Sequence, residues 1–457
     1  MSLIWSNFLH IYQPPTQKPE IIAKVADESY RKIITELKRT KRAKLTLNIN
    51  GILTELLVKH GHGDIVTDIK NLTLAGQIEL TGSAKYHPLL PRLPESEAVR
   101  QIILNNETNK KYFGKAWNPQ GFFPPEMGFS MGVAKTVSKL GFKWIIADEF
   151  SYPRNLGEVD YSKTHKIRGL PLQIYFRERG VSFKILSAQV GTGKLLLHEL
   201  GKRVTENKYL LTAMDGETFG HHRLGLEQLL FDLYRSPLIQ AETISNLAKH
   251  FPQVEEVSPE PSTWALTAKD IERKTPFSRW FDEDNEIHAL QWQLTELAIK
   301  TVTGSPRLKG WEASRSALDS SLHSDQYWWA GAKPWWSIEY IERGAKELVK
   351  AVELVPQVSS KTVKKAHDLY FRIIATAFDW QRSGLVDQLS RTEDEEIRQR
   401  IDQNLPEMAK AEFDRMIKNL KTQMITAAKN LEYERAAQFR NRIEELAQSK
   451  DKISSST

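Results

Sequence analysis

Cysteine is absent from this chain of 457 residues. Disulfides, thiolate nucleophiles and cysteine-ligated metals are therefore excluded. No apolar run reaches the roughly 18 residues that a membrane-spanning helix requires, so no membrane span is expected. The first five residues also lack the basic segment and the long apolar core of a signal peptide, and we expect them to open a strand. These absences favour a cytoplasmic protein.

A strong excess of charge of either sign is also missing. The chain carries 64 basic and 57 acidic residues, which give a formal net charge of +7 and a pI of about 9.1. No zinc-finger or RNA-binding signature accompanies this mild excess, so we expect no nucleic-acid substrate. The pattern Gly-x-Gly-x-x-Gly does not follow the first predicted strand, which argues against a dinucleotide-binding fold. No cofactor is expected.

Short apolar runs alternate with amphipathic stretches over the first 260 residues. The predicted strands are residues 3–11, 44–49, 78–80, 122–123, 144–147, 174–176, 183–186 and 209–213. Apolar residues at helical spacing lie between them, as in residues 20–37 and 96–112. This alternation is typical of parallel strands with crossover helices, in a barrel or a doubly wound sheet. We therefore predict an α/β domain over residues 1–285.

The second half of the chain changes character. Four stretches with helical spacing, residues 287–302, 314–323, 338–352 and 362–382, predict a helical domain over residues 286–390. Residues 391–457 form a charged linker followed by a helical hairpin, with its two helices predicted at residues 411–429 and 432–448. The last five residues have too little apolar surface to pack and are predicted to be disordered.

Two acidic segments, residues 121–127 and 213–220, each follow a strand-like run. The carboxylate is Glu126 in the first, Gly-Phe-Phe-Pro-Pro-Glu-Met, and Asp215 in the second, Ala-Met-Asp-Gly-Glu-Thr-Phe-Gly. Two carboxylates brought together at strand ends can carry out retaining glycoside hydrolysis, one as nucleophile and the other as acid/base. Taken singly, each segment also fits an ordinary turn: a Pro-Pro turn before a helix that favours an early acid, and a strand-to-loop turn.

Two further segments follow predicted strands. Residues 10–15, His-Ile-Tyr-Gln-Pro-Pro, end the first strand, and residues 86–91, Tyr-His-Pro-Leu-Leu-Pro, follow the third. Their His, Gln and Tyr side chains can hydrogen-bond sugar hydroxyls, although prolines that interrupt a loop give the same pattern. The aromatic segments 327–329 and 335–336 offer faces for stacking pyranose rings, and they fit core packing between two domains equally well.

In this order, the four segments resemble glycoside hydrolase family 57, a family of α-glucan-active enzymes. The resemblance covers residues 1–385, and Tyr12 stands where many members have a second histidine. Residues 324–329 are similar to a segment of the family's helical region. The matched regions are residues 10–14, residues 76–80 running on to His87 and Pro88, residues 121–127, residues 215–217, and a looser fifth segment with Trp264, Asp270, Trp280 and Asn285.

The resemblance implies an α/β fold built as an incomplete (β/α)7 barrel, followed by a helical domain and the C-terminal helical hairpin. It implies Glu126 as nucleophile and Asp215 as acid/base. Because Asp215 must begin the reaction protonated, we expect burial and the charge of Glu126 to raise its pKa. The residues implied for substrate binding are His10, Gln13, Glu79, His87, Glu217, Trp264, Trp280, Asp325 and Trp328.

The implied activity is that of a retaining, α-amylase-like hydrolase, which cleaves α-1,4 bonds of an α-glucan or maltooligosaccharide through a covalent glycosyl-enzyme. A 4-α-glucanotransferase or a branching enzyme would use the same machinery, and a catalytically silent α-glucan-binding scaffold is the alternative from another class. A metal-dependent polysaccharide deacetylase would need an Asp-Asp and a His-x-x-x-His set, which we do not find. The neighbouring histidines at 60 and 62, and at 221 and 222, are expected to be loop residues without a metal.

The C-terminal region resembles a UVR motif, the helical hairpin of the bacterial repair proteins UvrB and UvrC that mediates contacts between proteins. The residues that carry the resemblance lie between Leu420 and Ile443, around the sequence Asn-Leu-Glu-Tyr-Glu-Arg-Ala-Ala at 430–437. The resemblance implies an interaction module for a protein partner or for self-association, and it does not imply DNA repair. A charged, solvated hairpin without a partner is the alternative.

Overall fold

The computed structural model describes residues 2–153, 157–333, 335–391 and 410–429, and further along the chain residues 433, 436–437 and 439–444. Apart from residues 183–186, the predicted strands are confirmed to within two residues at each end. The strands of the described residues are β1 (Leu3–Ile11), β2 (Leu45–Ile49), β3 (Ile78–Leu80), β4 (Gly121–Phe122), β5 (Trp144–Asp148), β6 (Thr164–Ile167), β7 (Gln173–Arg177), β8 (Tyr209–Asp215), β9 (Ile239–Ala241) and β10 (Val254–Val257).

The strands form two sheets in which every pairing except β6 with β7 is parallel. One sheet has the order β3-β2-β1-β8, with β9 also paired to β1, and the other has the order β10-β6-β7-β5-β4. Two contacts join the sheets. Gly82, just past β3, pairs with Phe122 of β4, and the Glu178 N–H after β7 donates to the Leu211 carbonyl of β8 at 2.7 Å. The carboxyl ends of the strands other than β6 and β10 therefore lie on one side of the molecule.

The prediction of a strand at residues 183–186 is wrong, because these residues end the helix α7 (Arg179–Leu186). The Glu178 carboxylate accepts a hydrogen bond from the Val181 N–H at 2.5 Å and so caps the helix, and the Ser182 hydroxyl donates to the Glu178 carbonyl at 2.6 Å. A short apolar run alone does not separate a buried strand from a buried helical turn. The strands β6, β9 and β10 were not predicted, because each is only three or four residues long and none contains a continuous apolar run.

Helices cover the sheets and form most of the chain after residue 285. None of the helices in the described residues combines the length and the apolarity needed to cross a membrane. The remaining α-helices of the first part are α1 (Pro19–Val25), α2 (Arg31–Arg39), α3 (Gly51–Lys59), α4 (Gly63–Leu74), α5 (Glu95–Phe113), α6 (Met131–Lys139), α8 (Gly193–Leu200), α9 (Glu227–Arg235), α10 (Ile244–His250) and α11 (Ala268–Glu272), with a π-helical segment, Ala26–Tyr30, joining α1 to α2.

The predicted helical region is confirmed. Its helices are α12 (Glu286–Thr303), α13 (Trp311–Ser321), α14 (Asp325–Trp328), α15 (Ile338–Glu353) and α16 (Ser360–Ser383). Amphipathic spacing places one apolar face of each long helix inward, and these faces meet in a shared core. The four-residue helix α14 was not predicted as an element of its own, since a single turn leaves no periodic pattern.

A buried network of ion pairs joins α13 to α5. The Arg315 guanidinium donates to both carboxylate oxygens of Glu97, at 3.1 and 2.7 Å, and to Asp319 at 2.9 Å. Arg100 donates to Asp319 through two nitrogens at 2.8 and 2.6 Å. Bidentate pairs of this kind are geometrically specific. They fix the helical region against the crossover helix that precedes β4.

The helix α17 (Lys410–Lys429) packs on the rest of the chain. It agrees with the predicted helix 411–429, and the described residues of the predicted second helix are helical. Leu420, Ala427 and Phe439 form a small apolar cluster with Leu224, which lies in the loop that precedes α9. The predicted disorder of residues 453–457 and the rest of the predicted second helix lie outside the described residues.

Replacing Arg315 by Met is expected to lower the free energy of unfolding by about 3–5 kcal/mol, because the buried carboxylates of Glu97 and Asp319 would lose a shared cation. Urea denaturation followed by tryptophan fluorescence measures the loss. Arg382→Ala, which removes an exposed ion pair with Asp379, is the matched control and should cost far less. Equal losses in the two variants would contradict a structural role for the buried network.

Candidate active site

Glu126 lies just past β4 in a strained turn. It belongs to a 3-10 turn, Pro125–Met127, in which Glu126 has φ 61° and ψ 18° and Met127 has φ 47°. His87, in the loop after β3, has φ 58°. Left-handed backbone costs residues with a side chain roughly 1 kcal/mol or more each, and such strain gathers at functional sites. Two of the predicted site residues therefore share this feature.

Donors from two distant segments hold the Glu126 carboxylate. The Trp264 indole N–H donates to Oε2 at 3.0 Å, and the Ser324 hydroxyl donates to Oε1 at 3.0 Å. His87 Nδ1 lies 3.1 Å from the same hydroxyl and 3.6 Å from Oε1. The predicted residues Glu126, His87 and Trp264 are thus brought together. Ser324 was not among the predicted site residues, although it lies in the segment matched at 324–329.

Asp215 ends β8, where it pairs in register with His10 of β1. Gly216 follows, and a Cβ there would lie 2.6 Å from the Ile11 side chain, so glycine is required at this crossing. Burial raises the pKa of Asp215 to about 6, although the positive charge of Arg177 acts in the opposite direction. The rise agrees with the expectation from sequence, while its main cause is burial and not the charge of Glu126.

Arg177, at the end of β7, is a site residue that the sequence analysis missed. Its side chain is buried and forms an ion pair with Asp148 of β5, Nε to Oδ2, at 3.2 Å. Arg179 also contacts Asp148, at 2.9 Å, and donates to the carbonyl of Trp264 at 3.1 Å. The sequence did contain a signal for Arg177, because it is a charged residue at the carboxyl end of a predicted parallel strand.

The larger pKa shift falls on Glu126. Burial and then the negative charge of Asp215 raise the pKa of Glu126 to about 8, against the opposing hydrogen bonds from Trp264 and Ser324. Two neighbouring, largely buried carboxylates do not both ionise readily, so the pair holds a shared proton near neutral pH. Glu126 has the higher pKa of the two.

Glu217 and Gln13 meet on the other side of Asp215. Glu217 accepts hydrogen bonds from the Tyr30 hydroxyl, from the Tyr12 N–H at 3.2 Å and from the Gln13 amide at 3.5 Å. Burial and the charge of Asp215 raise its pKa to about 8. Glu217 is therefore tied into the protein and neutral at pH 7, and it lies beside the proposed acid/base.

Three stacked rings line the site between β1 and the β3 loop. The His10 and His87 rings lie 4.8 Å apart, and the Tyr12 ring stacks on His87 at 4.2 Å. His10 Nδ1 lies 2.7 Å from the Asn48 side-chain oxygen. Burial lowers the pKa of both histidines, that of His87 to about 4. The stack is therefore uncharged at neutral pH and combines apolar faces with hydrogen-bonding edges.

Asp325 is hydrogen-bonded to the stacked rings, whereas the predicted site residues Trp280, Trp328 and Glu79 have other contacts. The Tyr12 hydroxyl donates to Asp325 Oδ2 at 2.7 Å. Trp280 is fully buried, and the partly exposed Trp328 lies 5.2 Å from it, so Trp280 has no free face for a sugar. Glu79 lies in β3, where its carboxylate accepts from Ser245 and Thr46 and contacts none of the other described site residues.

The looser fifth segment contains two helix caps. Asp270 forms a capping box with Thr267 at the start of α11, and Asn285 caps α12 by accepting from the His288 N–H at 3.0 Å. Across the part of the chain that the structure describes, His, Asp and Glu side chains form no group of three fit for a metal ion. His221 instead pairs with Glu28 at 2.6 Å.

The structure is that of an α/β protein in which the largely buried carboxyl groups of Glu126 and Asp215 lie at the carboxyl ends of parallel strands. A family model described as glycosyl hydrolase family 57 matches residues 8–260, more than half of the chain, and the chain belongs to that family. A second model, described as the UvrB/uvrC motif, matches residues 414–449.

Relatives carry several activity names. An α-amylase of Pyrococcus horikoshii is 24% identical over 220 residues, which are 47% of this chain and 34% of the relative. A 1,4-α-glucan branching enzyme of Thermococcus kodakarensis is 22% identical over 364 residues, 70% of this chain and 52% of the relative. This chain therefore spans between a third and about half of the length of these two relatives.

Among solved structures, a 4-α-glucanotransferase of Thermococcus litoralis is similar with a TM-score of 0.62. The two chains are 16% identical, and the match covers 77% of this chain and 59% of that one. At this identity the similarity concerns the fold alone. It supports the α/β fold in which parallel sheets are surrounded by many helices.

Replacing Glu126 by Gln is expected to stabilise the protein at high pH. The pKa of Glu126 rises from 4.5 to about 8 on folding, so the folded state binds the proton more tightly and wild-type stability falls as pH rises between those values. The variant avoids this loss. We expect it to gain on the order of 1–2 kcal/mol at pH 8.5, because glutamine keeps only one acceptor oxygen.

Thermal unfolding at a series of pH values measures this gain, which should vanish near pH 4. Glu353→Gln changes a half-exposed glutamate outside the site and is the control. A gain of equal size at pH 5 and pH 8.5 would contradict the raised pKa.

Proposed function

We propose that this protein is a retaining, α-glucan-active glycoside hydrolase that acts on α-1,4-glucosidic bonds through a covalent glycosyl-enzyme. The observation that carries the proposal is the largely buried pair Glu126 and Asp215, whose pKa values are raised, in a chain of glycosyl hydrolase family 57. Family membership and the names of the relatives support an α-glucan as the substrate.

The proposed mechanism assigns one role to each acid. Glu126 attacks the anomeric carbon while the bond to the leaving oxygen breaks, and Asp215 gives its proton to that oxygen. Asp215, now ionised, then removes a proton from water, which attacks the same carbon and releases Glu126. The indole of Trp264 and the hydroxyl of Ser324 favour the ionised form of Glu126, which the first step requires.

The shared proton must therefore move before the reaction. In the free site it rests mainly on Glu126, whereas attack requires it on Asp215. A glycosidic oxygen that accepts a hydrogen bond from Asp215 would favour that arrangement, and an ionised Glu126 beside Asp215 would raise the pKa of Asp215 further. Substrate binding and proton placement are thus coupled in this proposal.

The finer architecture is also proposed. We infer that β1, β2, β3, β4, β5, β7 and β8 close into an incomplete (β/α)7 barrel, because the contact of Gly82 with Phe122 and that of Glu178 with Leu211 link the two sheets at both edges. We propose the domain limits 1–285, 286–390 and 391–457. The helical domain would complete the site by placing Ser324 on Glu126 and Asp325 on Tyr12.

Glu126→Gln and Asp215→Asn are each expected to lower kcat on maltoheptaose by about a thousandfold or more, because each removes a group that bonds or moves a proton in the transition state. Circular dichroism confirms folding, and Glu353→Gln is the control. Mass spectrometry of Asp215→Asn mixed with an α-glucosyl fluoride should find a sugar attached to the peptide that contains Glu126. Undiminished turnover in Glu126→Gln would overturn its assignment.

The sizes of the products separate the alternatives. Incubation with maltooligosaccharides and amylose gives only shorter products for hydrolysis, longer and shorter products together for glucanotransfer, and new α-1,6 linkages for branching. A wild-type protein that binds amylose but leaves it unchanged would support the catalytically silent scaffold.

We further propose that the C-terminal hairpin mediates contacts with a protein partner or with a second copy. The match to the UvrB/uvrC motif supports this role. One side of the hairpin packs on Leu224, while Ile425 and Tyr433 are 51% and 64% exposed. Exposed apolar side chains on an otherwise charged hairpin are suited to protein contacts.

Replacing Ile425 and Tyr433 together by Asp is expected to weaken self-association without changing kcat/KM, because neither residue approaches the catalytic pair. Sedimentation velocity over a range of protein concentrations measures association. Thr422→Asp, on the same helix and exposed, is the control. Association that survives in the double variant would overturn self-association through this face, and loss of folding after removal of residues 411–457 would show the hairpin to be structural.

A further inference from the structure

A line of four side chains connects α15 to the end of β1. Glu347 Oε2 lies 3.3 Å from His323 Nε2, His323 Nδ1 lies 3.0 Å from Asp325 Oδ2, and the Tyr12 hydroxyl donates to the same Oδ2 at 2.7 Å. The His323 side chain is only 5% exposed, and those of Asp325 and Glu347 are about one fifth exposed. Neither His323 nor Glu347 takes part in the proposed mechanism.

The imidazole of His323 is held as a cation. Each of its ring nitrogens faces a carboxylate, and only the imidazolium has two N–H donors. Burial alone would lower the pKa of His323, but the hydrogen bonds with Asp325 and Glu347 outweigh it and raise the pKa to about 9. His323 also acts on His87, whose pKa is low. The cation therefore persists at neutral pH.

The cation in turn keeps Asp325 ionised. Burial alone would raise the pKa of Asp325, but the hydrogen bond and the charge of His323 lower it. Both hydrogen bonds from within the protein, from His323 and from Tyr12, go to Oδ2. Among the described residues none donates to Oδ1, which leaves that oxygen for an external hydroxyl.

We propose that Glu347 and His323 are positioning residues, which hold Asp325 ionised and oriented so that its Oδ1 accepts a hydrogen bond from a hydroxyl of the sugar beside Glu126. This inference rests on the proposed function, since it concerns how the same site holds an α-glucan. Hydrogen bonds that involve a charged group are about twice as strong as neutral ones, so the charge of Asp325 matters for binding.

The order of residues along the chain supports the positioning role of Glu347 and His323. His323, Ser324 and Asp325 are consecutive, and Ser324 donates to the Glu126 carboxylate at 3.0 Å. Glu347 fixes this segment from α15 without reaching the sugar site itself. One glutamate on a neighbouring helix thus sets the position of both a sugar-binding acid and a donor to the nucleophile.

Glu347→Gln tests the proposal without altering any group that would touch the sugar. We expect kcat/KM on maltooligosaccharides to fall about tenfold, because a charge-assisted hydrogen bond is worth about 1.5–3 kcal/mol. Glu353→Gln is the matched control: it lies on the same helix and pairs with His367 at 2.8 Å, but that pair is exposed. Similar losses in the two variants would overturn the proposal.

A double-mutant cycle shows whether Glu347 acts through Asp325. In the background of Asp325→Asn, the further change Glu347→Gln should lower kcat/KM less than twofold, since the group that Glu347 positions is already neutral. If the two losses multiply, Glu347 acts by another route and the proposal fails. A role in folding alone would lower the unfolding temperature without this coupling.

NMR of ¹⁵N-labelled histidine provides a readout that does not depend on turnover. The wild-type His323 resonances should show both ring nitrogens protonated at pH 7, and Glu347→Gln should lower the titration midpoint, whereas Glu353→Gln should leave it unchanged. A neutral His323 at pH 7 would overturn the inference even if the enzyme is active. A charged His323 in a protein that turns over no α-glucan would instead count against the proposed function.

Discussion

The burial of the Glu126 carboxylate is the constraint on which the site depends. A carboxylate withdrawn from water is costly unless hydrogen-bond donors replace its hydration. Trp264 and Ser324 supply these donors from 138 and 198 residues further along the chain. Each also fixes backbone: the Trp264 N–H donates to the Glu126 carbonyl at 3.3 Å, and the Ser324 N–H donates to the His87 carbonyl at 3.0 Å. The two later segments therefore hold Glu126 and His87, two of the left-handed residues of the site, in place.

This dependence makes the helical region part of the site. The helix α14 is a single turn, so its position must come from its neighbours. The buried network of Glu97, Arg315 and Asp319 fixes α13 to α5, and α13 ends a few residues before Ser324. A network of this kind adds geometric specificity even where its net stabilisation is small. The strands bring Glu126 and Asp215 together, and the buried ion pairs position the segment that contains the donor Ser324.

The sequence predicted the parts of the site that lie at the ends of strands. Glu126, Asp215, His10 and His87 could be found because parallel strands deliver their carboxyl ends to one side. Asp325 was found through its family resemblance. Arg177 directly follows a predicted strand and could have been found by the same rule, whereas His323 and Glu347 could not, since their partners are set by tertiary packing and a single charged residue in a loop or helix has no pattern. Trp280 lies in the core. The sequence did not show this, because an aromatic residue gives the same sequence signal for a sugar platform and for core packing. The short apolar run at 183–186 was wrongly predicted as a strand, because its helix is set by the Glu178 cap.

The charges around Glu126 and Asp215 explain how a single proton can rest on either of the two carboxyl groups. The negative charge of Asp325 acts on Glu126, and the positive charge of Arg177 acts on Asp215. Both influences place the proton on Glu126 while the site is empty. The donors Trp264 and Ser324 act in the opposite direction, toward an ionised Glu126. A sugar oxygen that needs a proton at Asp215 must therefore draw that proton away from Glu126. Because the donors to Glu126 already favour its ionised form, a modest interaction energy decides which carboxyl group holds the proton.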